Sequence, residues 1–180
     1  MANFWIQEGE WARGGNNSVK FGDLVKPFGR KYKGMWRVFG ISENGEIMLV
    51  SDEPIGEVTL EGMEGYNKGI DVVDQLCIDT IKSSKVAAVR SITSLDLMRV
   101  RKYDEKLNLY KYKPDYWIAT SFICSSGVCG MKAIYKGNLM SILLRVYGEP
   151  ERKLTLGVRA VVTLRKNVEF NRTEDDCWKI

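Results

Sequence analysis

The chain contains no histidine. That single absence removes Ser-His-Asp triads, imidazole general bases and imidazole metal ligands. Only four prolines interrupt its 180 residues. No apolar run approaches the roughly 18 residues needed to carry a helix across a bilayer. The segment Met1 to Glu10 has neither a basic n-region nor an apolar h-region, so neither a secretory signal nor a membrane partner is expected. Cysteine is sparse too: Cys77, Cys124, Cys129 and Cys177. Cytosolic synthesis favours free thiols. Cys124 and Cys129 bracket a Ser-Ser-Gly-Val loop, a spacing that suits a small disulfide or half a metal site. No second pair at matching spacing completes a metal site, and free thiols are the expectation. Charge of one sign is also scarce. The 27 basic and 23 acidic residues leave a net charge of +4, which argues against a dedicated nucleic-acid binder.

What is present is enough for a real core. Hydrophobic residues make up 44% and aromatics 11% of the chain, a composition that excludes general disorder. The length fits one domain of about 100–200 residues, able to bury roughly 70% of its unfolded surface. Residues 1–180 are expected to form a single domain, with strands in 1–25 as an appended edge element and 171–180 as a tail.

Local patterns place the elements. Residues 4–25 suggest two short strands around the Arg13–Ser18 turn, followed by a basic loop from Lys26 to Gly34. Met35–Ile41 and Glu46–Ser51 read as a hairpin around Asn44-Gly45, which suits a type I′ turn. Residues 52–65, with Pro54, Gly56, Gly62 and Gly65, read as loop around one strand, Glu57–Leu60. Ile70, Val73, Cys77 and Ile81 recur at helical steps, so a helix is expected over 67–83, with Cys77 as packing. Thr93 and Asp96 form a capping-box-like start for a second, shorter helix. Arg99–Lys113 is polar and basic. Tyr116–Ser121, Gly130–Lys136, Leu139–Val146 and Leu156–Leu164 then read as strands, the middle two joined through Gly137-Asn138. The last run is nearly continuous in apolar character, as a central strand buried on both faces would be. Strands, two helices, then strands again argue an α+β fold.

Four stretches, taken together, resemble an uncharacterised domain family widespread in Gram-positive bacteria and their phages. They are Met35–Gly40 with Met48–Ser51, Ile55–Tyr66, Tyr116–Thr120 and Leu156–Leu164, followed by Trp178-Lys179-Ile180. They correspond to the family's K-W-R-V-L-G, I-G-x-L-T-L-x-G-x-x-G-Y, Y-W-L-A-S and L-G-V-R-P-V-V-S-L patterns. The match covers roughly residues 20–180. It departs at Ala160, where the family usually has Pro, and in the 171–176 tail, where the family is Gly-rich. The order of motifs is also similar to C-type-lectin-like and formylglycine-generating-enzyme-like domains. The resemblance implies a C-type-lectin-like fold: a single domain with a twisted antiparallel sheet and two helices. It implies no catalytic residues.

Candidate sites follow from residue type. Arg30, Lys31, Tyr32, Lys33 and Trp36 interleave cations with aromatics, a pattern that binds glycans or single strands, docks onto acidic protein, or lines a solvated loop. Trp117 and Arg159 read either as a sugar-stacking ring with a bidentate guanidinium, or as a core indole with an Arg satisfying buried carbonyls or a carboxylate. A buried strand favours the second reading, because an Arg there must be paired. Glu149-Pro150-Glu151 is reminiscent of calcium-dependent lectins, yet a partner cluster of oxygen ligands is missing and a turn is the better reading. No metal or cofactor is expected. No nucleophile or acid–base constellation is visible. The expected function is a non-catalytic phage virion structural or decoration protein, displayed on capsid or tail. It would be made in the host cytoplasm, occur as a multi-copy assembly or homo-oligomer, and contact other virion proteins through loops at 26–37, 99–113 and 122–130. The alternative is a lectin-like module binding a surface glycan or receptor.

Overall fold

The alternation of Trp36, Val38 and Ile41 against Ile47, Leu49 and Ser51 builds the hairpin on which the rest is assembled. Strands β4 (Trp36–Ile41) and β5 (Ile47–Ser51) pair antiparallel. In this computed structural model, which describes residues 11–12, 18–29, 31–101, 104–110, 114–124 and 127–180, the turn differs from the expected type I′. Gly45 alone in the turn has positive φ, +75°, and its N–H bonds the Ser42 carbonyl. Ser42 N–H in turn donates to the Glu46 carbonyl. A three-residue loop closed by a left-handed Gly replaces the two-residue turn.

Around this hairpin lie β1 (Trp11–Ala12), β2 (Ser18–Val19), β3 (Leu24–Val25), β6 (Gly56–Glu61), α1 (Gly62–Thr80), β7 (Val86–Ser91), α2 (Ser94–Val100) and α3 (Asp104–Leu107). The chain continues through β8 (Tyr116–Cys124), β9 (Val128–Tyr135), β10 (Asn138–Arg145), β11 (Lys153–Val158), β12 (Ala160–Leu164), β13 (Asn171–Arg172) and β14 (Trp178–Lys179). The fold is α+β, mostly sheet with few helices. One sheet runs β13-β14-β3-β4-β5-β12-β7, a second runs β10-β9-β8-β11-β6, and β1-β2 form a small third. The expected purely antiparallel sheet with two helices is corrected. β11 runs parallel to β8 and β14 runs parallel to β3, and a single-turn α3 is added within the basic 99–113 stretch.

The apolar run Leu156–Leu164 is not one strand. It is β11 in the five-stranded sheet and β12 in the seven-stranded sheet, broken at Arg159. Gly157 and Val158 lie beside Tyr116 and Trp117, so these two segments are neighbours. Strands β4 and β5 lie inside the seven-stranded sheet with β12 one strand from its edge, while β8 and β11 lie inside the five-stranded sheet and β6 forms its edge.

Helix α1 begins at Gly62, five residues before its periodicity suggests. Gly65, expected in a loop, belongs to the helix, and together with Gly69 it brings the helix close to the sheet. A Cβ at Gly65 would sit 3.2 Å from Leu144 Cδ1, and one at Gly69 would sit 3.2 Å from Met131 Sδ. Val73, Cys77 and Ile81 follow into the same core with Leu60, Trp117, Met131 and Leu144. A second cluster gathers Leu97 and Val100 of α2, Leu107 and Leu109 with Phe39, Val50, Ile118, Ile134 and Val161. Because Trp117 and Ala133 join the first cluster while Ile118 and Ile134 join the second, α1 covers one face of the strands and α2–α3 the other. Helix α2 has the expected capping box: Thr93 accepts from Asp96 N–H, and the Asp96 carboxylate accepts from Thr93 N–H at 2.8 Å.

Candidate functional site

Arg159 sits where the chain leaves one sheet for the other. It is 2% exposed. Its Nε and Nη2 donate to the Ser51 carbonyl at 2.8 and 2.5 Å, and Nη1 donates to the Asn108 carbonyl at 3.1 Å. The guanidinium also lies 5.4 Å from the Tyr116 ring centroid. The sequence left open a ligand-binding Arg or one satisfying buried carbonyls, and the geometry is the latter. The following residue completes the junction: Ala160 N–H donates to Ser51 Oγ at 3.1 Å.

Trp117 is fully buried, and its indole N–H donates to the Val58 carbonyl at 2.9 Å. Trp36 is fully buried as well. It stacks on Phe28 at 5.0 Å and meets the edge of Tyr32 at 5.2 Å. Its indole N–H has no partner among the described residues. Tyr32 is 8% exposed and donates to the Met35 carbonyl, and burial pushes its phenol pKa upward. The reading of Tyr32 and Trp36 as rings lining a binding surface is therefore corrected, while Trp117 takes the core position that its strand favoured over ligand stacking. Neither indole can stack on a ligand unless the core opens, because both are fully buried and the aromatics of the basic loop turn inward.

Of those cations, Lys31 and Lys33 are exposed, and Arg30 lies outside the described residues. The flanking charges are paired: Lys26 with Asp175 at 2.9 Å, and Arg37 with Asp52 at 2.6 Å. Arg37 also donates to the Lys106 carbonyl at 3.0 Å, so it ties the loop to α3. The 99–113 stretch is partly core as well, since Leu107 and Leu109 are fully buried. Lys102, Lys111 and the Arg13–Asn17 turn lie outside the described residues.

Glu149-Pro150-Glu151 serves the fold. Arg152 pairs with Glu149 at 2.9 Å, while a Glu151 carboxylate oxygen accepts from Met63 N–H at 3.3 Å at the start of α1. A carboxylate there compensates the helix N-terminus, whose own preceding residue, Glu61, makes no side-chain cap. Sequence reasoning missed this long-range cap because nothing local links residue 151 to residue 63.

Cys124 and Cys129 carry free thiols, as do Cys77 and Cys177. Cys129 lies opposite Ile123 and Cys124 opposite Val128, so the two thiols project from opposite faces of the hairpin. Burial pushes the Cys77 and Cys129 thiols up.

Exposed apolar side chains collect elsewhere, in a pattern the sequence did not reveal. Met98 on α2 is 69% exposed and Leu139 on β10 is 37% exposed. Together with Arg101, Tyr110, Gly137 and Asn138 they line a groove of about 570 Å³. Leu95 extends this apolar surface along α2, Met140 is exposed on the opposite face of β10, and Ile123 and Tyr147 are exposed as well. Among the described residues, no group of three or more Asp, Glu or Cys side chains is arranged to hold a metal, and no helix is long and apolar enough to cross a membrane. No family model, curated protein or solved structure matches the chain.

Proposed function

We propose that this chain is a non-catalytic structural or decoration subunit of a phage particle, held by protein–protein contacts repeated over many copies. The observation that carries the reading is the exposed apolar surface formed by Leu95, Met98 and Leu139 beside an open groove. Contiguous apolar side chains at a surface favour protein contact over solvent. The most distinctive polar residues, Arg159 and Asp96, satisfy internal partners, which leaves them to the scaffold. The four-segment resemblance to a phage-associated family supports the setting, and its strands form that scaffold.

The finer architecture we read as C-type-lectin-like. Helices lie on both faces of the strands, and the late strand β14 returns beside the early strand β3. Weak contacts by each copy then sum to avidity in a multi-copy lattice. Quantitative mass spectrometry of density-purified particles tests the assignment. The chain should be present in fixed stoichiometry with the other particle proteins. Its absence from particles, or specific retention by a glycan array through Lys31 and Lys33, would overturn it.

A further inference from the structure

The outer edge of β10 points to a second copy of the same chain. Strand β10 closes one side of the five-stranded sheet, and among the described residues no strand pairs with its outer edge. Edge strands of soluble proteins are normally blunted by charge, Pro or a covering element. From Asn138 to Leu144 this one carries neither charge nor Pro, and its first four residues are exposed.

The register of the β9–β10 hairpin identifies which backbone groups are unpaired. The turn is Lys136-Gly137, with φ of +51° and +76°, and Tyr135 and Asn138 form the closing pair. In a two-residue hairpin that closing pair exchanges its hydrogen bonds, and hydrogen-bonded pairs then alternate along the strands. Asn138, Met140 and Ile142 therefore direct their backbone groups inward to β9. Leu139, Ser141 and Leu143 direct theirs outward.

We infer that two copies join edge to edge through antiparallel pairing of β10, about a two-fold axis at Ser141. In this register Ser141 faces its own counterpart, and Leu139 faces Leu143 of the second copy. Every outward backbone group from Leu139 to Leu143 then meets one of the same kind of pair. Between these pairs, Met140 lies opposite Ile142, so apolar meets apolar on the face toward α1. The segment Leu-Met-Ser-Ile-Leu reads nearly alike in both directions. A two-fold interface requires that self-complementarity, and an unrelated peptide would not. Beyond Leu143 the register shifts, which limits the paired length. The inference deepens the multi-copy reading and rests on it for its biological setting.

Sedimentation velocity on the purified full chain tests it without particles. The wild type should show a concentration-dependent dimer. Ser141→Lys, which sets two ammonium groups opposite each other, should weaken association about tenfold or more. Leu139→Lys gives an independent check, with circular dichroism confirming that both variants fold. Register is read by cross-linking with oxidised glutathione in a Cys124→Ser background. Residues in a hydrogen-bonded antiparallel pair have Cα atoms about 5.5 Å apart, within disulfide reach. Ser141→Cys should therefore cross-link with itself. Leu139→Cys and Leu143→Cys should cross-link when mixed, and neither should do so alone. A monomer throughout, a dimer indifferent to both Lys substitutions, or Leu139→Cys cross-linking with itself would overturn the inference. A monomer that is nonetheless present in particles would defeat β10 pairing alone. A β10 dimer absent from particles would defeat the particle assignment alone.

Discussion

Replacing Arg159 by Met should destabilise the fold although Met fits an apolar interior better. The wild-type guanidinium supplies both close donors to the Ser51 carbonyl and one to the Asn108 carbonyl. Met supplies none, and a buried acceptor that loses its partners costs about 1–3 kcal/mol. Two such carbonyls cost about 2–6 kcal/mol together. The loss is offset by about 1–4 kcal/mol, because a charge no longer has to be held out of water. A net destabilisation of about 1–2 kcal/mol is expected. With a urea dependence of about 2 kcal/mol per molar, the unfolding midpoint should fall by about 0.5–1 M. Arg159→Lys should fall further. It keeps the buried charge but lacks the planar fork that reaches two carbonyls at once. Urea unfolding followed by tryptophan fluorescence measures both. A midpoint at or above wild type for Arg159→Met would refute the claim that this side chain ties the two sheets together, and Lys outperforming Met would refute the role of the fork.

The two buried indoles make contrasting predictions. Trp117→Phe removes a hydrogen bond to the Val58 carbonyl and should cost about 2–3 kcal/mol, while Trp36→Phe removes a donor that has no described partner and should cost less; equal losses in urea unfolding would contradict this. Gly130→Ala would drive a Cβ into the Ile142 carbonyl oxygen of the facing strand, so a loss of about 1–3 kcal/mol is expected from thermal melts. Native thiol titration with Ellman's reagent should give one fast-reacting group, Cys124, the exposed member of the four. A Cys124–Cys129 disulfide on non-reducing peptide mapping would contradict the register of β8 and β9. The Asp175 carboxyl is held below the usual aspartate range by the Thr173 hydroxyl and then by Lys26. Its pinning of the tail should thus be complete above the ordinary aspartate pKa and be lost as pH falls through the lowered one. Hydrogen exchange of residues 173–178 across that range measures it, and tail release at neutral pH would refute it.

Much of the strand order was legible because hydrophobic alternation and turn chemistry are local signals. The β4–β5 hairpin and the Thr93–Asp96 cap could both be read within a few residues. Several features escaped for identifiable reasons. In β7, Ala87 and Ala88 are exposed, so it has little β-branched character to announce it. The first turn of α1 carries Gly62 and Gly65, which locally signal loop, and only the distant neighbours Glu151 at Gly62 and Leu144 at Gly65 explain them. The break at Arg159 is invisible in a run of apolar residues, because its cause, the Ser51 carbonyl, lies 108 positions away. The Glu151 cap of α1 is equally remote, reaching across 88 positions. The candidate binding aromatics failed in a similar way. Interleaved Lys and Tyr or Trp describes a loop whose rings fold under it as well as one that displays them, and only burial separates the two. The apolar surface of Met98 and Leu139 could not be found by pattern, since it joins residues from a helix and a strand across the five-stranded sheet.

The most direct test of the account is hydrogen–deuterium exchange of the chain free in solution and assembled in particles, compared peptide by peptide. Assembly should slow exchange over 94–100 and 138–143, where the exposed apolar side chains and the outward backbone groups of β10 lie, and leave 31–35 unchanged. Protection confined to 31–35, with 94–100 and 138–143 exchanging as in the free chain, would contradict it.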